Sequence, residues 1–340
     1  MATDAMVVVS KTGQSYDAEL GLACSAIDVQ LGSAHIRLPA VGANYADYSH
    51  AHKAGVPLRA PMFNYHHRNT SGYSIAHKAT QNNIEAKIAE VQERHRPSMT
   101  IMSLEHPGDL TASGLGAFHR LQMRLGLPII TTVEKNPMQD LRSLMRELEP
   151  FDRLETDQER FPTISVRCDP IDFKEKLLYI VSSYNGFNLQ WGGYSKFSER
   201  WGILSSVLRD YPVWCNVVNI LNREVSIGTP TGQKIRTSGM VRALLYGGHS
   251  HCFAWPHYHP PAGGGASRRQ AQKATLFNPR TWCYEPCDLE YSVARTRSFN
   301  AIQEALGLAR EEILAGTLYS RHCRQRLGLN EAMAQIPQIT

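Results

Sequence analysis

Short apolar, β-branched runs alternate along this chain with longer segments of helical spacing, and this alternation narrows the choice of folds. Eight runs are nearly continuous in apolar residues, as is typical of strands buried on both faces of a parallel sheet. They are predicted at 34–42, 60–66, 98–105, 127–134, 163–169, 186–193, 213–220 and 250–256. Repeated βα units of this kind favour a parallel sheet with right-handed crossovers.

Several connections between these strands carry apolar residues at helical spacing. Helices are predicted at 81–94, 173–184, 195–209 and 237–246, the last one capped by Thr237 or Ser238. Eight strands with eight intervening helices fit a closed (β/α)8 TIM-like barrel of about 250 residues, and an open doubly wound sheet is the alternative. No Gly-x-Gly-x-x-Gly follows any strand, which disfavours a dinucleotide fold.

The domain organisation predicted from these patterns has three parts. They are an N-terminal extension at 1–33, the α/β barrel at 34–260, and a basic loop followed by a cysteine-containing helical appendage at 261–340. The 340 residues are 42% hydrophobic and 20% charged, which excludes a disordered chain or a disulfide-dense miniprotein. No apolar run reaches the roughly 18 residues of a membrane span, and no signal peptide is predicted. Seven widely spread cysteines favour a reducing cytoplasm, and the net charge of +5 permits a nucleic-acid partner.

Polar residues collect where the predicted strands end. They are His66, His67, Glu105, His106, Glu134, the segment 167–169, the segment 190–193, the segment 216–219 and the segment 249–252. Because barrel enzymes place their active sites at the carboxyl ends of the strands, these residues predict a polar pocket there.

The segment HSHCFAWPHYH at 249–259 allows two kinds of chemistry. Strand alternation puts His249, His251 and Phe253 on one face, and Ser250 and Cys252 on the other. A His-x-His metal site fits this geometry. Alternatively, Cys252 beside imidazoles is a nucleophile whose pKa is lowered, although most strand cysteines are simply small buried residues.

A second cluster of possible metal ligands lies near the C-terminal end of the sequence. Cys283 and Cys287 are followed by His322 and Cys323, and four such ligands suit a structural zinc ion in a small appendage. Unlinked reduced cysteines are the alternative.

The order of motifs over roughly residues 80–325 resembles the tRNA-guanine transglycosylase family, including its relatives that act on DNA. The matching segments are MSLE (102–105), VRCD (166–169), NLQWGG (188–193), WCNVVN (214–219) and SGMVRALLYGGHSHCFAWP (238–256). Cys252 stands where the family has its nucleophilic aspartate. The family's second catalytic aspartate has no counterpart in the segment 63–72.

The resemblance implies exchange of a guanine-type base for a 7-deazaguanine in tRNA or DNA, with Cys252, Glu105 and Asp169 as candidate catalytic residues. The candidate substrate-binding residues are Arg167, Gln190, Trp191, Gly192, Gly193 and His251, with Trp191 or Tyr65 as a stacking face. Arg268, Arg269 and Lys273 are candidate phosphate contacts. The family resemblance further implies a structural zinc ion and a homodimer or heteromer.

Two other functions fit the same sequence. A non-catalytic paralogue would bind nucleic acid and keep the barrel without turning over substrate. A metal-dependent barrel hydrolase would use His249, His251 and other residues at the strand ends.

Overall fold

The chain is described by a computed structural model over residues 7–19, 21–105, 110–191, 198–220, 224–228, 234–253 and 274–320. An antiparallel three-stranded sheet comes first, in the region predicted as an extension. Its strands are β1 (Val7–Asp17), β2 (Leu22–Leu31) and β3 (Ala34–Leu38), paired in that order. The strand predicted at 34–42 is wrong as a single unit, because the chain leaves this sheet at Pro39, which has no backbone N–H to donate.

The main sheet contains seven parallel strands. They are β4 (Ala40–Ala43), β5 (Met62–Arg68), β6 (Met99–Glu105), β9 (Thr163–Ser165), β10 (Gly186–Gln190), β11 (Trp214–Ile220) and β14 (Ser250–Phe253). Their spatial order is β6–β5–β4–β14–β11–β10–β9, so the first and last parallel strands are neighbours. This cyclic order in a mixed α/β fold is compatible with a TIM-like barrel.

Two short strands, β7 (Ile129–Thr131) and β8 (Glu159–Phe161), pair in parallel between β6 and β9. Thr131 donates from Oγ1 to the carbonyl oxygen of Met102 in β6 at 2.7 Å. On the other side, Thr163 at the start of β9 donates from Oγ1 to the carbonyl oxygen of Thr132. These two bonds connect β7 to both edges of the seven-stranded sheet.

A helix follows each parallel strand or strand pair of this sheet. The helices are α1 (Tyr45–Ala54), α2 (Lys78–His95), α3 (Ala112–Arg124), α4 (Leu141–Asp152), α5 (Pro170–Ser183), α6 (Ser198–Asp210), α7 (Gly239–Leu245) and α8 (Tyr291–Leu314). The four predicted helices correspond to α2, α5, α6 and α7. Ser238 caps α7 as predicted, since its side chain accepts from the backbone N–H of Met240.

The first sheet covers the amino-terminal end of the parallel strands. Val29, Ile36 and Leu38 of that sheet pack in one buried cluster with Met62 and Trp214, which stand at the starts of parallel strands. A second, larger cluster fills the space between the outer face of the parallel sheet and the helices. The first sheet therefore closes the amino-terminal end of the parallel strands and leaves their carboxyl end uncovered.

Helix α8 packs on the parallel sheet and does not form a separate appendage. The backbone N–H of Val41 in β4 donates to Gln303 Oε1 of α8 at 2.9 Å. Arg295 of α8 forms a buried ion pair with Asp47 of α1 at 3.1 Å. Phe299 and Ile302 of α8 also belong to the larger buried cluster. The boundary predicted at residue 261 therefore does not separate α8 from the barrel region.

A small antiparallel sheet is inserted after β11 and β14. Its strands are β12 (Glu224–Gly228), β13 (Lys234–Ser238), β15 (Thr275–Asn278) and β16 (Cys283–Pro286), in the spatial order β12–β13–β16–β15. Because β11 and β14 both end at the carboxyl edge of the parallel sheet, the insertions begin at that edge. Across the described ranges, no helix combines the length and apolar character needed to cross a membrane.

Candidate functional site

Side chains on the inner face of the parallel sheet change from apolar to polar toward the carboxyl ends of the strands. The apolar starts belong to the cluster under the first sheet. The polar residues that follow on this face are Asn64, Ser103, Asn188, Asn216 and Ser250, each of them buried. The interior therefore contains hydrogen-bonding groups toward the carboxyl ends of the strands and apolar groups toward their amino-terminal ends.

His66 and Glu105 stand at the carboxyl edge of this polar interior. They lie at the ends of the neighbouring strands β5 and β6, with His66 Nε2 at 3.3 Å from Glu105 Oε2. The other ring nitrogen, His66 Nδ1, lies 2.9 Å from Ser103 Oγ, and Ser103 in turn donates to Asn64 Oδ1 at 3.1 Å. The His66 side chain is 5% exposed and that of Glu105 is 27% exposed.

The hydrogen bonds of this network require a proton between His66 and Glu105. Because Ser103 gives its only hydroxyl proton to Asn64, its oxygen accepts from His66 Nδ1. An ionised Glu105 can only accept, so the contact with His66 Nε2 requires a proton on one of the two groups. A His–Glu pair that shares a proton at a strand end is suited to general acid–base catalysis.

A second network crosses the interior from β11 to β10. Trp214 donates from Nε1 to Ser250 Oγ at 2.7 Å, and Ser250 donates to Asn216 Oδ1 at 2.6 Å. Asn216 then donates from Nδ2 to Asn188 Oδ1 at 2.8 Å. All four residues are fully buried.

Cys252 lies on the inner face, as the alternation predicts, but it is not an activated thiol. A Cβ added to Gly42 would lie 2.6 Å from Cys252 Sγ, which shows how closely the sulfur packs on β4. Burial raises the pKa of Cys252 to about 12. The expected lowering of its pKa is therefore wrong, because burial removes solvent from around the thiolate and the neighbouring Asp47 carboxylate raises the pKa further.

His249 and His251 point into the layer between the sheet and the helices. A Cβ on Gly248 would lie 2.9 Å from His251 Nε2, and the backbone N–H of Cys215 donates to His249 Nδ1 at 3.1 Å. Burial lowers the pKa of each imidazole to about 3. The roles predicted for them in metal or substrate binding at the strand ends are therefore wrong, because both side chains lie on the opposite face of β14. No cluster of three or more potential metal ligands occurs in the parts of the chain that the structure describes.

Glu134 and Lys176 form a buried ion pair beside the candidate site. Lys176 Nζ in α5 lies 2.8 Å from Glu134 Oε1, and Glu134 Oε2 accepts from the backbone N–H of Ser165 in β9 at 2.8 Å. Burial raises the pKa of Glu134 to about 7 despite the neighbouring ammonium group. Both side chains are enclosed, so the pair fixes the segment after β7 against α5 and β9.

Asp169 and Arg167 occupy the segment between β9 and α5. The carboxylate of Asp169 accepts from the backbone N–H of Ile171 at 2.9 Å and caps α5. Both residues are exposed. The cap explains why an aspartate follows this strand, and this placement gives no support to the catalytic role predicted for Asp169.

Gln190 and Trp191 end β10 on opposite faces. Gln190 is half-buried and shares the inner face with Asn188, as a substrate-binding role requires. The Trp191 ring packs on Trp201 of α6, with ring centroids 4.6 Å apart. Tyr65 packs against Phe63 at 6.2 Å within the same outer layer. The stacking roles predicted for Trp191 and Tyr65 are therefore wrong, because other aromatic rings already cover them.

Several predicted residues lie outside the described ranges: Gly192, Gly193, His106, Arg268, Arg269, Lys273, His322 and Cys323. Of the predicted zinc ligands, Cys283 and Cys287 are described. Both are half-buried free thiols in and after β16. The zinc site therefore stays a prediction.

The sequence shares little with known proteins. No protein-family model and no curated protein matches it. Among solved structures, phosphoribosyl anthranilate isomerase from Thermococcus kodakaraensis is similar to this chain, with 12% identity, a TM-score of 0.33, and coverage of 63% of this chain and 87% of that protein. A likeness at this level carries no argument about activity.

Proposed function

We propose that this chain exchanges a guanine-type base for a 7-deazaguanine in tRNA or DNA, with Glu105 as its nucleophile and His66 as its proton donor. The observation that carries the proposal is the 3.3 Å contact between His66 Nε2 and Glu105 Oε2 at the carboxyl ends of adjacent parallel strands. Barrel enzymes carry out their chemistry at this edge. The order of sequence motifs supports a nucleic-acid base as the substrate.

The pair supplies both groups that base exchange requires. The Glu105 carboxylate attacks the anomeric carbon of the ribose, the glycosidic C–N bond breaks, and the departing base takes the proton held on His66. The incoming base then attacks the same carbon, Glu105 leaves as a carboxylate, and the proton of the incoming base returns to His66. Glu105 takes the nucleophilic role because burial raises the pKa of Cys252 to about 12, which leaves that thiol protonated.

The same proposal includes a closed barrel, a structural zinc ion and a set of phosphate contacts. The cyclic strand order and the bonds that connect β7 to β6 and β9 support a closed (β/α)8 barrel. Cys283 and Cys287 stand four residues apart in and after β16, a spacing that suits two ligands of a structural zinc ion completed from His322 or Cys323. Arg268, Arg269 and Lys273 supply phosphate contacts for the polymer.

Incorporation of radiolabelled guanine, or of a 7-deazaguanine precursor, into tRNA and into duplex DNA tests the proposed exchange. Label is expected to enter one polymer with the wild-type protein and to be lost with Glu105→Gln, which removes the attacking carboxylate. Glu199→Gln is the matched control, because Glu199 is an exposed glutamate of α6 away from the pair. Binding of both polymers without any incorporation would refute the proposal.

A non-catalytic nucleic-acid-binding subunit is the second candidate. The protonated Cys252 and the capping role of Asp169 favour it, since two of the three candidate catalytic residues have structural roles. This candidate predicts polymer binding that weakens steeply with salt and is unaffected by Glu105→Gln.

A further inference from the structure

The buried network from Trp214 to Asn188 has a fixed direction. An indole nitrogen can only donate, so Ser250 Oγ must accept from Trp214 at 2.7 Å. Because a donor occupies that side of the hydroxyl, the Ser250 proton has to point at Asn216, whose Oδ1 lies 2.6 Å away. The hydrogen bond from Ser250 therefore fixes the orientation of the Asn216 amide, with Oδ1 toward Ser250.

The order of donors and acceptors continues from Asn216 to Asn188. With Oδ1 of Asn216 held by Ser250, its Nδ2 donates to Asn188 Oδ1 at 2.8 Å. The Asn188 amide is therefore oriented with its NH2 group at the far end. That Nδ2 atom is buried and has no hydrogen-bond partner among the described residues. A buried donor without a partner destabilises a protein, so its retention calls for a reason.

We infer that Asn188 Nδ2 recognises a carbonyl oxygen of the bound base, and that Trp214 and Ser250 act as positioning residues which keep this end of the network a donor. The inference rests on the proposed function for the nature of the ligand. Asn188 and Gln190 share the inner face of β10, with Gln190 closer to the carboxyl edge. A base entering from that edge would meet Gln190 first and Asn188 below it.

A fixed donor gives a specific preference. It binds a carbonyl group and rejects an amino group at the same position, because two facing donors leave both groups unpaired. Guanine and 2,6-diaminopurine differ in this way at position 6 of the ring and have nearly the same size. The preference for guanine therefore depends on Trp214 and Ser250, which do not contact the ligand. A purely structural role for Ser250 would not produce this dependence.

Equilibrium binding of free guanine and free 2,6-diaminopurine to the full chain tests the inference. The wild-type protein is expected to bind guanine about ten- to a hundredfold more tightly. Asn188→Ala and Ser250→Ala should each remove most of this ratio, the latter by freeing the Asn216 amide to turn. Ser205→Ala is the matched control, since Ser205 is a fully buried serine of α6 that bonds to the backbone of Ala23. It should leave the ratio unchanged.

The outcomes separate this inference from the proposed exchange. An unchanged ratio in Ser250→Ala, or a wild-type protein that binds both bases equally, overturns the inference. Base exchange measured together with such a result leaves the proposed function standing. A guanine preference that Ser250→Ala abolishes, without any base exchange, supports the inference while the proposed function fails. If Asn188→Ala does not fold, Ser250→Ala decides alone.

Discussion

Glu105 Oε2 lies 3.3 Å from one ring nitrogen of His66, and Ser103 Oγ lies 2.9 Å from the other. The imidazole is therefore held at both nitrogens, which fixes its ring plane and directs Nε2 toward the carboxylate. His67, the next residue, has its side chain on the opposite face and contacts the carbonyl oxygen of Tyr73 at 2.9 Å. Two adjacent histidines thus have different environments, and this difference provides a direct test.

His66→Asn is expected to lower kcat for base exchange by about 10²–10⁴-fold, because it removes the group that holds the transferred proton. His67→Asn should leave kcat close to the wild-type value, since that imidazole is buried on the opposite face of β5, against the carbonyl oxygen of Tyr73. Steady-state kinetics on the polymer that accepts label measures both. Equal losses in the two variants would contradict the assignment of His66.

Cys252 is expected to resist iodoacetamide at pH 8 in the folded protein. Burial raises its pKa to about 12, so almost none of it is thiolate at that pH, and the reagent has no access. Cys283 and Cys287, which are half-buried, should be modified first. Mass spectrometry of the peptides before and after unfolding checks the order, and rapid modification of Cys252 would restore it as a candidate nucleophile.

Stability is expected to fall as the pH drops below 6.5. Burial lowers the folded-state pKa of His249 and of His251 to about 3, from 6.5. Between these values the unfolded chain binds protons that the folded chain does not, so the free energy of unfolding decreases with falling pH by about 1.4 kcal/mol per unit for each group. Urea unfolding of His251→Gln between pH 7 and pH 5 should show a slope that is smaller by this amount. An unchanged slope would mean that His251 is protonated in the folded state.

Lys176→Met is expected to lower the free energy of unfolding by about 3–5 kcal/mol, because it leaves the Glu134 carboxylate buried without its cation. The double variant Glu134→Gln/Lys176→Met should recover much of this loss, since no charge then stays buried. Urea unfolding at pH 7 measures both. A double variant less stable than Lys176→Met would show that the two residues do not act as a pair.

Most of the parallel strands were predictable because strands buried on both faces are nearly continuous in apolar residues. It was not predictable which side chains face the interior of the sheet and which face the helices. Alternation separates His251 from Cys252, but it does not say which face is inside, and the inner residue proves to be the cysteine. The spacing that could have identified the site is the polar pair two residues apart, as in Asn64 with His66 and Ser103 with Glu105.

The first sheet and the packing of α8 could not be predicted for a different reason. β1 has a largely polar sequence and becomes a strand through pairing with β2, a contact that local periodicity does not reveal. The capping residues Asn44, Thr111 and Asp140 mark the starts of α1, α3 and α4, and they are the local sequence signals for these three helices.

Arg310 of α8 donates to the carbonyl oxygens of Ile27 and Leu38 and to the carboxylate of Asp28, all in the first sheet. These acceptors are made early in translation, whereas the guanidinium group that binds them is made near the end. The first sheet is therefore made well before the side chain that connects it to α8. The bonds from Arg310 can form only once α8 has been made, because 272 residues separate Arg310 from Leu38.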